Sequence, residues 1–376
     1  MKKTVYNGID NIAAVRGMLS GARIGLITGP TGVDRSLRHT SEIIASLTRL
    51  TALFSPEHGI RGENQAGGGD AVHRDPDTGA TVYPIYGSVT APTPDMLDKV
   101  DIMLYDMQDV GARFYTYLTT LTRSMQVCAA RQIPFIVFDR MNPVSLSRVE
   151  GNVLSERFAS FVGEYAVPVR YGLTVGEYAI YINEKKHLGC QLTVVPCEGL
   201  DRRLYFDDTD LCFVPPSPNI PTVDSAVCYL GTCIFEGTNL SEGRGTTKPF
   251  ELIGAPWVDS RELTARLSRY RMDGVIFRRA FFTPVYSKYS GERCEGVEIH
   301  ITDREHFQPV EAGLRLFDEL RAICPEMMIT QGIDHLFGDD KLRTEYIGGE
   351  RIDAFLTYNE NRLRSFRDAC FEYRLY

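Results

Sequence analysis

The sequence has no run of about 18 apolar residues, the length a membrane-spanning helix needs. Nor does an apolar core follow Lys2 and Lys3, because Asp10 and Arg16 interrupt the stretch where a secretory leader would carry one. The expectation is a cytoplasmic protein without a membrane span, the alternative being export through a leader outside this chain. CxxC pairs are missing, and the nine cysteines are odd in number and scattered between Cys128 and Cys370. That excludes a disulfide framework or a zinc ribbon and predicts reduced, mostly buried thiols. The seven histidines show no ligand spacing, so no metal is expected. No GxGxxG is present, and Gly29-Pro-Thr-Gly32 is too short for a dinucleotide fingerprint. Walker, HExxH and GxSxG motifs are absent too. No cofactor is therefore expected, and Gly67-Gly68-Gly69 reads as a loop rather than a phosphate cradle. Basic charge is in deficit: 41 Lys and Arg against 49 Asp and Glu give −8. A net acidic chain is a poor partner for nucleic acid or an anionic membrane, although a local arginine can still receive an anionic substrate.

What is present is ordinary globular composition, 43% hydrophobic and 24% charged. The 376 residues exceed the roughly 250–300 at which single cores stop growing, so two domains are expected. Short apolar runs at 23–28, 50–54, 101–105, 134–138 and 191–195 read as strands. Helical spacing over 36–50, 116–131 and 174–183 separates them. Alternation of this kind implies βαβ units and a mainly parallel, Rossmann-like sheet. The texture changes at Phe213-Val-Pro-Pro-Ser-Pro-Asn-Ile-Pro221, whose four prolines forbid a helix interior. The junction is placed here, giving an α/β domain over 1–222 and a smaller α+β domain over 223–376. The second has a strand at 296–301 and helices near 260–270, 310–323 and 352–366. Nothing in the sequence speaks to oligomeric state.

Ligands of open parallel sheets bind outside the carboxyl ends of the strands. Three successive strands end in Ser55-Pro-Glu-His-Gly59, Asp106-Met-Gln-Asp-Val-Gly111 and Asp139-Arg-Met-Asn-Pro143. Carboxylates gathered in a cleft suit glycoside hydrolysis. Glu57 leads, because Pro56 and Gly59 bracket it in a tight turn beside His58. Asp106 and Asp109 are the next candidates. Asp139 reads as a helix cap that can also pair with Arg140. Arg113-Phe-Tyr-Thr-Tyr117 offers either a core face or an aromatic platform for a sugar ring. The stretch from Glu236 to Phe250, rich in glycine, hydroxyl and charged side chains, reads as a surface loop or as a binder of hydroxyls and carboxylates.

Together these motifs and Pro215-Pro-Ser-Pro-Asn-Ile-Pro221 resemble the NamZ family of exo-β-N-acetylmuramidases, from about Gly25 to the end of the chain. Met141 replaces a proline usual in the family. The resemblance implies a Rossmann-like domain without a nucleotide, a smaller C-terminal domain and a site between them. It implies release of N-acetylmuramic acid from the non-reducing end of peptidoglycan fragments, with Glu57 catalytic. On that reading Glu57 is the general acid, which at neutral pH requires a raised pKa. Asp109 or Asp106 is its neighbour, with Glu236 and Glu242 rivals across the cleft. Arg244 is expected to hold the lactyl carboxylate, with Arg61 and Arg113 as alternatives. His58, Tyr115, Tyr117, Asn219, Asn239 and Thr246 complete the expected lining. Two rival readings are a sugar-binding protein without catalysis and a metal-dependent esterase or amidase built on Glu57 and His58.

Overall fold

The computed structural model describes residues 2–62, 71–346 and 349–376, so the glycines at 67–69 lie outside the described residues. The larger sheet contains β1 (Arg23–Thr28), β2 (Arg49–Ser55), β3 (His73–Arg74), β4 (Thr81–Pro84), β5 (Ile102–Asp106), β6 (Phe135–Phe138) and β7 (Leu192–Val195). Their order is β3-β4-β2-β1-β5-β6-β7, parallel throughout except for the edge strand β3. A smaller antiparallel sheet has the order β8-β10-β9, with β8 (Leu252–Ala255), β9 (Val275–Phe282) and β10 (Cys294–Ile301). Helices α1 (Arg16–Leu19), α2 (Thr40–Leu47), α3 (Pro94–Leu97), α4 (Tyr117–Ala130) and α5 (Val175–Lys185) accompany the first sheet. Helices α6 (Val223–Thr232), α7 (Ser260–Leu267), α8 (Pro309–Ile323), α9 (Gly332–Phe337), α10 (Lys341–Thr344) and α11 (Gly349–Cys370) accompany the second.

Strand side chains alternate between faces, and here the alternation divides the interior in two. Ile24, Leu26, Ile102 and Leu104 enter one apolar cluster, while Ile27, Met103 and Tyr105 enter the other. Burial on both faces is why these strands read as continuous apolar runs. The second cluster continues without a break into Leu314, Phe317 and Phe355 of the C-terminal helices. The expected strands lie within a residue or two of their predicted bounds. The helix expected from 36 starts only at Thr40, because Asp34 accepts the backbone N–H groups of Ser36 and Arg38, both at 2.9 Å, in a turn. All nine cysteines are unpaired and only Cys212 is exposed, so no disulfide crosslinks the chain. Among the described residues no helix is long and apolar enough to cross a membrane, and no group of three or more His, Cys, Asp or Glu could hold a metal ion.

The chain leaves β2 on one side of β1 and β5 on the other, so the crevice between the ends of β1 and β5 is the topological switch point, where such sheets bind nucleotides. It is filled. Arg140 pairs with Asp106 through two bonds of 2.6 and 2.9 Å and donates a third to the Val33 carbonyl at 2.8 Å. The hydroxyl of Thr28 donates to the Asp106 carbonyl at 2.9 Å, and that of Thr40 to its carboxylate. Gly32 packs so closely that a Cβ there would lie 2.0 Å from Thr28 Oγ1. Asp106 is thus a structural anion, not a catalytic one, and Arg140 pairs with it rather than with Asp139.

Asp139 does cap a helix, α5, the next α-helix along the chain after β6. It accepts from the Thr174 hydroxyl and the Gly176 N–H, both at 2.7 Å, at the start of α5. The terminal Tyr376 folds back and donates its phenol to the same carboxylate at 2.7 Å. Burial pushes the Asp139 carboxyl up to about 6, against the pull of these donors. An unfolded aspartate titrates near about 3.9. Between the two values the folded state takes the proton first, so the charged carboxylate weakens the fold above about pH 6 and the penalty fades as pH falls towards 4. Tyr376→Phe removes one donor to the charged form. It should cost about 1–3 kcal/mol at pH 7 and clearly less at pH 5 in urea melts; an equal loss at both values would contradict this account.

Candidate active site

One cavity of about 570 Å³ opens at the carboxyl ends of β2 and β4 and is closed by the second half of the chain. Its first wall comes from the sheet. Glu57 and His58 follow β2, where Pro56 and the left-handed residues His58 (φ +76°) and Gly59 (φ +81°) turn the chain sharply. Ile85 donates its N–H to the Ser55 carbonyl at 2.8 Å and so carries the pairing of β4 with β2 one residue further, which sets Tyr86 beside Glu57. Thr116, just before α4, donates its hydroxyl to Glu57 Oε2 at 3.0 Å. The Tyr86 phenol bonds the same carboxylate and is held protonated well above its ordinary pKa by burial, then by Glu57.

The opposite wall comes from the polar loop after α6. Glu236 sits in the 3-10 turn Cys233–Gly237 that ends this helix. Arg244 pairs with Glu236 at 2.6 Å and with Glu242 at 3.3 Å. Gly243 (φ +80°) and Gly245 (φ +78°) flank Arg244, and a Cβ on Gly245 would lie 2.4 Å from the Tyr286 carbonyl. The Gly-Arg-Gly spacing therefore lets the loop lie flush on the β9–β10 connection. From that connection Lys288 donates to the carbonyls of Phe235 and Leu240 and to Glu242, all at 2.9 Å. Those three acceptors use up the ammonium's three donors, so Lys288 is a clamp. A guanidinium carries five donors, more than the two carboxylates on Arg244 take, which leaves Arg244 able to receive a ligand anion. Burial raises the Glu236 carboxyl above its ordinary value, while Arg244 acts in the lowering direction.

The floor is aromatic. Phe114 meets Tyr229 edge-on at 5.0 Å, and Tyr229 meets Phe250 at 4.6 Å. Tyr115 and Tyr117 both donate to the Pro216 carbonyl, at 2.9 and 3.0 Å, and so fasten the proline-rich segment to the start of α4. That segment delivers Asn219, which is buried. Its Oδ1 accepts from the Tyr286 phenol at 2.7 Å, whereas its Nδ2 has no partner among the described residues. His58, Phe250 (φ +65°) and Ser287 (φ +68°) all line the cavity with left-handed backbone, a conformation costing about 1–3 kcal/mol at each non-glycine position. Strain gathered around one cavity fits a site whose shape is imposed by its surroundings.

Of the residues expected from sequence, the structure brings Glu57, His58, Tyr115, Asn219, Glu236, Glu242 and Arg244 to the cavity lining, with Tyr117 just behind it. Others lie elsewhere. Asp109 is buried beneath the site, held by the Gly111 N–H at 2.6 Å and by the Tyr171 phenol, and burial pushes its carboxyl up to about 7. Arg113 is fully enclosed and donates to the carbonyls of Asn152, Val167, Leu336 and Phe337, a strut between the two halves. Arg61 pairs with Asp75 at 2.8 Å and Asp77 at 2.5 Å. Asn239 bonds the backbone of Glu326 and Met328, and Thr246 bonds the Gly243 carbonyl beside a separate depression. Tyr86, Thr116, Tyr286 and Lys288 were not anticipated. Only Tyr86 had a usable signal, since Thr81-Val-Tyr-Pro84 is a short strand running directly into it.

Two family models cover nearly all of the chain: "Exo-beta-N-acetylmuramidase NamZ, N-terminal" over residues 24–224 and the corresponding C-terminal model over 227–376. The peptidoglycan β-N-acetylmuramidase NamZ of Bacillus subtilis (strain 168) is 43% identical, an alignment spanning 100% of this chain and 92% of that protein. Crystal structures of two DUF1343-family proteins from Bacteroides fragilis NCTC 9343 share the fold. One superposes with a TM-score of 0.91 at 34% identity over 100% of both chains. The other gives 0.81 at 28% identity over 99% of both.

The unpartnered Asn219 amide predicts a direct bond to a ligand acceptor. Asn219→Asp keeps an oxygen for Tyr286 but replaces the amide donor with a carboxylate, which also adds negative charge to the cavity. Calorimetry with N-acetylmuramic acid as the probe sugar should show affinity falling at least about tenfold, or 1.4 kcal/mol. Unaltered affinity would remove Asn219 from the binding set.

Proposed function

The chain belongs to the NamZ family of exo-β-N-acetylmuramidases, and from that premise we propose the way its cavity carries out the reaction. It is an exo-acting glycoside hydrolase that releases N-acetylmuramic acid from the non-reducing end of peptidoglycan fragments. In this reading residues 1–222 supply Glu57 and residues 223–376 complete the cleft with Glu236, Glu242 and Arg244. The observation that carries it is the pair of carboxylates, Glu57 from the first half of the chain and Glu236 from the second, lining one cavity of about 570 Å³.

The surroundings favour a division of labour. Glu57 is held in place by bonds from Thr116 and Tyr86, which suits a base or nucleophile of fixed position. Glu236 is raised by burial, which suits the group that delivers a proton to the leaving oxygen. The strand-end turn and the family resemblance give the acid role to Glu57; here it falls to Glu236 instead. Arg244 receives the lactyl carboxylate, the group that distinguishes muramic acid from N-acetylglucosamine, and Asn219 receives a neutral acceptor such as the N-acetyl oxygen.

A muramic acid–N-acetylglucosamine disaccharide and a 4-nitrophenyl muramic acid glycoside separate the two roles, since 4-nitrophenolate leaves without a proton. Glu236→Gln should lose about 10²–10⁴-fold in kcat/KM on the disaccharide and little on the nitrophenyl glycoside. Glu57→Gln should lose comparably on both. Wild-type turnover of the disaccharide by either folded variant would defeat the pairing. Arg244→Ala should weaken the preference for muramic acid over N-acetylglucosamine. Because Arg244 lowers the Glu236 pKa, its removal should also move the alkaline limb of the kcat/KM profile to higher pH; movement to lower pH would assign that limb to another group.

A further inference from the structure

The bond cut in the proposed reaction joins the terminal sugar to a second one, which must rest somewhere during the reaction. A separate open groove of about 390 Å³ adjoins the cavity and shares three residues with it: Val162, Leu336 and Glu236. Its remaining wall is formed by Phe161, Thr330, Gly332 and the exposed His335. A second depression, beside Thr246 and Phe281, shares only Tyr286 with the cavity and no carboxylate. The groove is therefore the neighbour that meets the cavity at a catalytic group.

We propose that this groove is the leaving-group subsite, which seats the N-acetylhexosamine freed by cleavage, with Glu236 on the boundary between the two sugars. The inference rests on the hydrolase reading above and adds to it the place of the second ring. Its chemistry fits a pyranose. Phe161 is half-buried, and its ring is fixed by Tyr86 at 5.7 Å and by the Arg123 guanidinium at 5.3 Å. A fixed aromatic ring is a surface for the apolar C–H face of a sugar. His335 is steadied at Nδ1 by the Phe158 carbonyl at 3.2 Å, and the Thr330 and Ser160 hydroxyls supply polar rim groups. The floor is held from below, because Arg113 donates to the Leu336 carbonyl at 2.6 Å. A carboxylate at the junction of two sugar sites lies where the glycosidic oxygen must be.

Gly332 gives a direct test. A Cβ built on it meets only Thr330 Oγ1, at 3.4 Å, so a larger side chain would extend into open space on the groove side without disturbing the core. Gly332→Phe blocks the groove, and Phe161→Ala removes its platform. Both are assayed on the muramic acid–N-acetylglucosamine disaccharide and on muramic acid glycosyl fluoride, whose one-atom leaving group does not reach the groove. For Gly332→Phe the expected result is a loss of tenfold or more in kcat/KM on the disaccharide, with the fluoride hydrolysed at the wild-type rate and the melting temperature unchanged; Phe161→Ala, whose ring also packs on Tyr86, should lose at least tenfold more on the disaccharide than on the fluoride. Equal effects on both substrates, or none on either, would overturn the subsite. So would a loss confined to substrates that carry a peptide on the lactyl group, which would make the groove a stem site. If the wild type cleaves neither substrate, the hydrolase reading falls as well, an outcome distinct from a failed subsite in an active enzyme.

Discussion

The molecule is organised around the buried ion pair of Asp106 and Arg140. Two charges without water are tolerable only if each is fully bonded, and here the carboxylate also accepts from Thr40 while the guanidinium reaches the Val33 carbonyl. Removing one partner of such a pair costs about 3–5 kcal/mol, because the other charge stays buried alone. The pair ties the ends of β5 and β6 to the loop after β1 and thereby occupies the crevice in which a Rossmann-like sheet would take a nucleotide. With the switch point closed by protein, the binding cavity is displaced one strand along, to the end of β2. That displacement puts Glu57, rather than Asp106, on the cavity lining.

A second constraint is charge balance inside the cavity. Among the described residues, Glu57, Glu236 and Glu242 share the cavity with Arg244 and Lys288, and Lys288 is saturated by Glu242 and two carbonyls. The carboxylates thus outnumber the Lys and Arg side chains. Desolvation raises the Glu236 carboxyl above its ordinary value, and Arg244 opposes that rise. An incoming anionic sugar adds one more negative charge, which only a guanidinium with donors to spare can absorb. Acid chemistry and selectivity for a carboxylated sugar thus draw on the same small set of side chains.

Much of this was legible in the sequence, and the reasons are specific. Strands β1, β2, β5 and β6 are buried on both faces, so their apolar runs are unbroken and their ends are sharp. Glu57 stood out because a proline and a glycine so close together force a turn. The loop from Glu236 to Phe250 was recognisable by its glycines, two of which the packing of Arg244 requires. What misled was direction. Asp109 and Arg113 occupy strand-end and helix-start positions that look functional, but their side chains turn inward, to Tyr171 and to four backbone carbonyls. Lys288 and Tyr286 were invisible because they reach the cavity only when the β9–β10 connection folds over it, a contact with no local pattern. Strand β4 was missed because four residues ending in a proline give too short a period to detect.

The segment with the most prolines explains how two halves with one continuous core still hold a defined opening between them. Proline fixes φ and removes donors, so the stretch from Val214 to Pro221 cannot collapse into a helix or join a sheet interior. It is instead fastened from both sides. Tyr115 and Tyr117 grip the Pro216 carbonyl from the sheet side, and Tyr286 grips Asn219 from the second sheet. A stiff strap tied to both walls sets the distance between them, which a flexible linker would not. The left-handed backbones of His58, Phe250 and Ser287 then cost nothing further to maintain during turnover, since the strain is met once, on folding, by the packing of the whole interior. Glu57 and Glu236 belong to different halves of the chain, and their spacing is inherited from that strap.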